Sequence, residues 1–278
     1  MSFSPWRQPL PLTPWREAVK LPILPPKHPE PWSLTGLYQV LELVHRRCGN
    51  AVWNPFVTLC LSGGLDSSLS LAILVELYGA KRITTYTIGS HSDHPDIRYA
   101  KMAAKHFGVS HAVYIPRQNE IERAKVELAQ IPGEIVSEGN AGVLLLYQFI
   151  NYCGTTDVLS HDGIDELLGG YWAHRAHEED PELQHQAFDM EWRRLADVHL
   201  LPLERKAGIC GVRVVFPYLQ EYVIEYIRRI PLCDRTSKAE SKMPLRALAR
   251  QLNVPEPIIT RQKVGFCSAL TDPDSLPS

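Results

Sequence analysis

The sequence predicts an α/β fold, a doubly wound parallel sheet with a helical C-terminal part. Two observations support this prediction. Short apolar and β-branched runs alternate with helical patterns in the first part of the chain, and helical patterns dominate from about Asp180 onward. Alternating strands and helices are typical of a parallel sheet covered on both faces. Ligands of such sheets bind at the carboxyl ends of the strands.

The predicted elements begin with a helix that is capped by Ser33 and stops at Gly49. A strand over residues 55–62 then leads through a tight turn into a helix that begins near Ser67 and is apolar on nearly every side. The other predicted elements are strands at 82–89, 111–116 and 157–160 and helices at 96–108, near 119–130 and near 140–152.

Residues 1–32 form a separate segment, because they hold nine of the 22 prolines and three of the six tryptophans. Proline at this density disfavours regular helices and strand pairing. We expect an extended arm whose Trp6, Trp15 and Trp32 dock on the domain surface, with a partner-binding polyproline strap as the alternative. The remaining chain, 33–278, is predicted as one domain. Its α/β core covers about 33–175 and its helical part about 176–268.

Composition favours a small-molecule substrate over nucleic acid, since the formal net charge is -2 and no long basic run occurs. The six cysteines are scattered without a C-x-x-C pair, as expected of a reduced cytoplasmic protein. No stretch of about 18 uncharged apolar residues is present, so no membrane span is predicted. The oligomeric state is left open.

The string SGGLDSS, residues 62–68, joins a predicted strand to a predicted helix. Gly63 and Gly64 allow backbone N–H groups to approach an anion, and the helix N-terminus favours negative charge there. The serines add hydroxyl donors. Asp66 does not favour a bare phosphate, so an aspartate in this loop predicts a nucleotide bound with Mg²⁺. The chain lacks the G-x-x-x-x-G-K-S/T, G-x-G-x-x-G and G-x-S-x-G motifs.

The string LSGGLDSS resembles the pyrophosphate loop of the adenine-nucleotide α-hydrolase superfamily, whose members split ATP between the α and β phosphates and adenylate a substrate. Within it, LSHDGIDELLGGY (159–171) is similar to the L-S-G-E-G-x-D-E-x-F-G-G-Y signature of asparagine synthetases. PYL (217–219), KMPLRAL (242–248) and RQKVGF (261–266) resemble the P-F/Y-L, K-x-x-L-R and R-x-K-x-G-F elements of the same synthetase domain. The resemblance covers roughly residues 35–268 and implies the superfamily fold.

The resemblance implies ATP and Mg²⁺ as cofactors and assigns a role to each matching residue. Asp66 and Asp165 would hold Mg²⁺. Lys263 would donate to the α-phosphate and to a later oxyanion, Lys242 would be a second cation, and Asp162 would lie beside the acyl carbon. The residues expected to bind ATP and pyrophosphate are Leu61, Ser62, Gly63, Gly64, Asp66, Ser67, Ser68, Ile88, Ser160 and Gly163.

Three departures from the family pattern concern the substrates. His161-Asp162-Gly163 stands where the family has Gly-Glu-Gly, and Val215 and Gln220 replace an arginine and an aspartate around PYL. These replacements therefore weaken the case for aspartate as the substrate. No cysteine precedes Cys48, so we expect no glutaminase domain. The nitrogen would come from free ammonia, from an amine, or from a separate ammonia-supplying or substrate-carrying protein.

The predicted function is an ATP-dependent, AMP-forming amide ligase that acts on a small carboxylate. The alternatives are another adenylase of the superfamily, for thiolation or tRNA modification, and a non-catalytic nucleotide-binding subunit. A transition-metal site at His161, Asp162, Asp165 and Glu166 is a further interpretation of the same segment, and Glu166 has a competing role as a helix cap. His91 and His94 are expected to be solvated loop residues, and His174 and His177 are expected to lie on the surface. The acid, the nitrogen nucleophile and the role of the arm are left open.

Overall fold

The computed structural model describes residues 12–52, 56–261 and 270. Its centre is a five-stranded parallel sheet in the order β3-β2-β1-β4-β5, which confirms the predicted doubly wound α/β fold. The strands are β1 (Val57–Cys60), β2 (Ile83–Ile88), β3 (Ser110–Tyr114), β4 (Asp157–Leu159) and β5 (Arg213–Val215). After β3 the chain crosses to the other side of β1, so the strand order reverses between β1 and β4. Ligands bind at such switch points.

Helices precede the sheet and connect its strands. The helices up to β4 are α1 (Trp15–Ala18), α2 (Leu34–Ala51), α3 (Leu65–Tyr78), α4 (Pro95–Phe107), α5 (Gln118–Ala129) and α6 (Glu138–Tyr152). Those after β4 are α7 (Ile164–Leu168), α8 (Trp172–Ala176), α9 (Pro181–Leu195), α10 (Leu201–Ile209), α11 (Glu221–Ile227), α12 (Leu232–Arg235), α13 (Met243–Gln251) and α14 (Glu256–Ile259). A π-helical turn, Ala196–Leu200, joins α9 to α10.

The sheet separates two apolar cores, because successive side chains of a strand point to opposite faces. On β4, Leu159 belongs to the core shared with α2, α3, α9 and α11, whereas Val158 belongs to the core shared with α5 and α6. Helix α3 has nine buried residues and lies within the first of these cores. Both faces are thus covered, as the alternation of strands and helices predicts.

Several element boundaries differ from the predictions. Helix α2 does not stop at Gly49 but continues to Ala51, and Gly49 packs against the ring of Tyr78, whose hydroxyl donates to the Arg46 carbonyl. Helix α3 starts at Leu65, two residues earlier than expected. Strand β5 lies in the part predicted to be helical. Its three residues are too few for periodicity to distinguish a strand from a helix.

The described part of the N-terminal segment lies on the domain. The Trp15 indole is buried and its Nε1 donates to Glu204 Oε1 at 3.1 Å, while Trp32 Nε1 donates to Asp234 Oδ2 at 3.0 Å. The docking predicted for these two tryptophans is therefore observed, and Trp6 lies outside the described residues. The expectation that the prolines exclude helix is wrong at α1, which begins directly after Pro14. Proline is tolerated at a helix start, where its missing N–H is not needed.

Among the described residues, no helix combines the length and the apolar character that crossing a membrane requires.

Candidate functional site

The carboxyl ends of β1, β2 and β4 open on a cavity of about 350 Å³. The switch point between β1 and β4 lies at its centre, and both strands are followed by a sequence signature. Ten of the predicted site residues line this cavity: Leu61, Ser62, Gly64, Asp66, Ile88, Ser160, Asp162, Gly163, Asp165 and Lys242. Gly63, Ser67 and Ser68 do not line it, and Lys263 lies outside the described residues.

The loop after β1 leads directly into the N-terminus of α3. Gly64 is the N-cap, and its N–H donates to Ser62 Oγ at 3.3 Å. Ser67 and Ser68 are 3% and 0% exposed in the first helical turn, and Ser67 Oγ donates to the Gly64 carbonyl. The first turn therefore offers an anion its backbone N–H groups and the positive end of the helix.

Packing fixes one glycine in the loop after β1 and one in the loop after β4 in the left-handed backbone conformation. Gly63 has φ +69°, and a Cβ there would lie 2.3 Å from the Ala100 backbone nitrogen on α4. Gly163 has φ +93°, and a Cβ there would lie 2.2 Å from Leu219 Cδ2. At these two positions glycine is thus needed for close packing within the protein, a reason different from the anion approach that the sequence suggests for Gly63.

A buried lysine joins the two carboxylates that the sequence assigns to the metal. Lys242 Nζ donates to Asp66 Oδ2 at 2.6 Å and lies 2.7 Å from Asp165 Oδ1. Burial alone would lower the pKa of the Lys242 ammonium, but the charges of Asp165 and Asp66 outweigh this and raise it. The ammonium is therefore charged, and it holds the ends of β1 and β4 together.

The residues at this point fit Mg²⁺, which prefers carboxylate oxygens and usually takes only one or two of them alongside phosphate oxygens. Asp66 and Asp165 lie within reach of one point, which the Lys242 ammonium now occupies. No group of three histidine, cysteine or acidic side chains suited to a metal occurs within the described ranges. The described residues thus provide no ligand set for the transition-metal interpretation.

Asp162 lies on the cavity wall and its Oδ2 accepts from Ser160 Oγ at 2.6 Å. Burial raises the pKa of this carboxyl group. His161 also lines the cavity, and burial lowers its pKa to about 3, so the imidazole is neutral. Glu166 is 2% exposed and accepts from the Tyr171 hydroxyl at 2.8 Å, which orders the segment that follows α7.

Arg261, which follows α14, contacts both the loop after β1 and the start of α4. Its Nη1 donates to the Ser62 carbonyl at 3.1 Å, its Nη2 pairs with the Asp96 carboxylate, and its guanidinium stacks 4.7 Å from the centre of the Tyr99 ring. Lys263 follows two positions later, outside the described residues, so its role stays a prediction.

The sequence did not predict a buried network of polar side chains behind the loop after β1. The Tyr218 hydroxyl donates to the Asp66 carbonyl at 3.1 Å, Ser70 Oγ lies 3.1 Å from that hydroxyl, and His45 Nε2 lies 2.7 Å from Ser70 Oγ. The PYL motif marks Tyr218, but His45 appears only as one member of an amphipathic helix. This network fixes the backbone of Asp66.

The expectation that His94 and His174 are solvated is wrong. His94 is 1% exposed, and its Nδ1 accepts from the Asp96 N–H at the start of α4. His174 is 0% exposed and stacks 4.1 Å from Phe188. A histidine can serve as a helix cap or a core ring, and a polar neighbourhood in the sequence does not reveal either role.

His45 should make the protein sensitive to acid. Burial lowers its pKa to about 4, below the roughly 6.5 of an unfolded histidine, so the unfolded chain takes up this proton first as the pH falls. His45 should therefore cost about 2 kcal/mol of stability between about pH 7.5 and about pH 5. Urea unfolding at both pH values should show that His45→Gln removes this part of the pH dependence. The exposed His177→Gln should leave it unchanged, and an equal pH dependence in His45→Gln would contradict the assignment.

Known proteins are similar to this chain over most of its length. The asparagine synthase family model matches residues 44–204 and 178–276. Asparagine synthetase (glutamine-hydrolyzing) of Gallus gallus is 28% identical over 242 residues, an alignment that covers 82% of this chain and 40% of the relative. Asparagine synthetase B (glutamine-hydrolyzing) of Escherichia coli K12 is 27% identical over 227 residues, covering 74% of this chain and 40% of the relative. The chain spans about 40% of the length of these relatives.

Among solved structures, the glutamine-dependent NAD⁺ synthetase of Acinetobacter baumannii in complex with adenosine diphosphate is similar with a TM-score of 0.46 and 19% identity. That match covers 87% of this chain and 38% of the other. The family model, by contrast, spans most of the chain and includes both strand-end signatures. The protein therefore belongs to the asparagine synthase family.

Proposed function

We propose that the protein is an ATP-dependent, AMP-forming amide-bond synthetase. A substrate carboxylate oxygen attacks the α-phosphorus of ATP, the bond to the β-phosphate oxygen breaks, and pyrophosphate leaves. The nitrogen of ammonia or an amine then attacks the acyl carbon, the bond to AMP breaks, and the nitrogen loses a proton. The observation that carries this proposal is the meeting of Asp66 and Asp165 at the switch point beside the N-terminus of α3.

The chain supplies the parts that this reaction needs. The first turn of α3 and the loop before it would receive the pyrophosphate, and the buried Leu61 and Ile88 side chains offer an apolar wall for the adenosine. Asp66 and Asp165 would hold Mg²⁺, which neutralises polyphosphate charge when bound. Lys242 adds a fixed positive charge near the same point. Lys263 is proposed as the cation for the α-phosphate.

The substrate acid need not be aspartate. Gln220 stands where the family has an aspartate, and its side chain binds the N-terminal segment. Its Oε1 accepts from the Thr13 N–H at 2.8 Å and its Nε2 donates to the Thr13 carbonyl at 3.3 Å. Val215 is 8% exposed within β5. The side chains at these two positions thus make contacts within the protein, which supports a substrate acid other than aspartate.

Exchange of labelled pyrophosphate into ATP should reveal the acid, because the exchange depends on reversible formation of the acyl-adenylate. A panel of carboxylates, aspartate included, should contain a member that stimulates the exchange. With that acid, ammonium salts and a panel of amines should yield AMP and an amide, and glutamine should be tested beside them. Formation of ADP in place of AMP would overturn the proposal. Nucleotide binding with no exchange under any acid would favour the non-catalytic alternative.

A further inference from the structure

The positive charge between the Asp66 and Asp165 carboxylates is a lysine side chain of the protein. Lys242 is 4% exposed, and its Nζ lies 2.6 Å from Asp66 Oδ2 and 2.7 Å from Asp165 Oδ1. The two carboxylates are themselves only 19% and 13% exposed. Ions this deeply buried need a partner of opposite charge, because water solvates them poorly. The Lys242 ammonium is such a partner for both carboxylates.

The backbone presents Lys242 in an unusual way. Lys242 is the N-cap of α13, with φ 53° and ψ 42°. Within the described ranges, only Lys242 and Asn253 combine a side chain with positive φ. The left-handed region is unfavourable for such residues, and it is retained where the surrounding structure requires it. The Leu245 and Arg246 N–H groups both donate to the Lys242 carbonyl, so the first turn of α13 holds this conformation.

The neighbouring cation, Arg246, binds backbone carbonyl groups and also interacts electrostatically with Asp66. Arg246 Nε donates to the Ser241 carbonyl at 2.8 Å, and its Nη1 donates to the Ile259 carbonyl. Among the described residues, Lys242 Nζ forms an ion pair with each of the two carboxylates. A divalent cation bound by the same two oxygens would lie beside this ammonium. Like charges a few ångströms apart repel strongly in a partly buried site.

We propose that Lys242 is an exchangeable counter-ion that keeps divalent cations out of the site until a polyphosphate arrives. The phosphate oxygens then accept hydrogen bonds from the Lys242 ammonium, and Asp66 and Asp165 bind the metal in its place. The inference rests on the proposed function in one respect, that the ligand is a nucleotide polyphosphate. It predicts weak divalent binding by the free protein and much tighter binding with nucleotide.

The test measures Mn²⁺ binding by the full chain, with the electron paramagnetic resonance of free Mn²⁺ as the readout. Without nucleotide, Lys242→Met and Lys242→Gln should each bind Mn²⁺ about tenfold or more tightly than the unmodified protein, since the competing charge is gone. Lys242→Arg keeps the charge and should bind as weakly as the unmodified protein. Lys238→Met, on the exposed segment before α13, is the matched control and should change nothing. Adding Asp165→Asn to Lys242→Met should abolish the gain.

A non-hydrolysable ATP analogue supplies the second arm. It should tighten Mn²⁺ binding by the unmodified protein about tenfold or more, and should tighten binding by Lys242→Met much less. Equal Mn²⁺ affinity of Lys242→Met, Lys242→Gln and the unmodified protein without nucleotide would overturn the proposal. Failure of the proposed function is distinguishable, because a protein that forms no AMP would still show the tighter Mn²⁺ binding in Lys242→Met. Thermal melts check that each variant is folded.

Discussion

Replacing Asp165 or Asp66 by asparagine should reduce carboxylate-stimulated pyrophosphate exchange by roughly 10²–10³-fold or more, the range found when one fixed electrostatic group is removed from a reaction centre. Asparagine keeps the shape of each side chain and removes its charge. Both carboxylates contact the same Lys242 nitrogen at the β1 and β4 ends, so either substitution leaves this charge cluster incomplete. The exchange assay of the proposed function measures the loss directly.

The matched control is Asp93→Asn, an exposed aspartate in the loop after β2. It should keep full exchange. Thermal melts should show that the Asp66→Asn and Asp165→Asn proteins are folded, since losing one buried charge also removes repulsion between the two carboxylates. Full exchange in either variant would show that the assignment of these residues to Mg²⁺ is wrong.

The sequence was sufficient to predict that the two loops of the candidate site lie at one edge of the sheet. SGGLDSS and SHDGIDE each follow a short apolar run, and carboxyl ends of parallel strands share one edge of a sheet. The sheet order then places these two loops side by side at the switch point. Buried strands follow from local apolar runs, so a single sequence reveals them, whereas Gly63 and Gly163 are needed for close packing against residues distant in the sequence.

The contacts between distant residues could not be predicted in the same way. Lys242 follows Asp66 by 176 positions, and no local pattern indicates that its ammonium bridges two carboxylates. Gln220 appears as a lost recognition residue, whereas its side chain binds Thr13, 207 positions away. His45 becomes a buried polar residue only because α2 packs on α3. Such pairs depend on tertiary packing and not on residue spacing.

Asp162→Asn should separate the two halves of the proposed reaction. Adenylation needs the cations and the loop after β1, so carboxylate-stimulated exchange should fall by less than about tenfold. Amide formation should fall by roughly 10²–10⁴-fold, the usual contribution of a general base, because the attacking nitrogen must lose a proton beside the acyl carbon. Burial raises the pKa of Asp162 towards the range in which a carboxylate is an effective base. In the unmodified protein, amide formation should therefore decline as the pH falls through that raised pKa.

Asp162→Glu restores the carboxylate that the family has at this position, one methylene longer. If the length of this side chain sets the shape of the acceptor pocket, the variant should keep pyrophosphate exchange and change which amine the protein accepts. Asp197→Asn, at an exposed aspartate of the π-helical turn beside the cavity, should leave both steps unchanged. Loss of exchange and amide formation in equal measure in Asp162→Asn would place this residue in adenylation. Ser160, which donates to Asp162 at 2.6 Å, would then orient it towards the nucleotide and not towards the nitrogen.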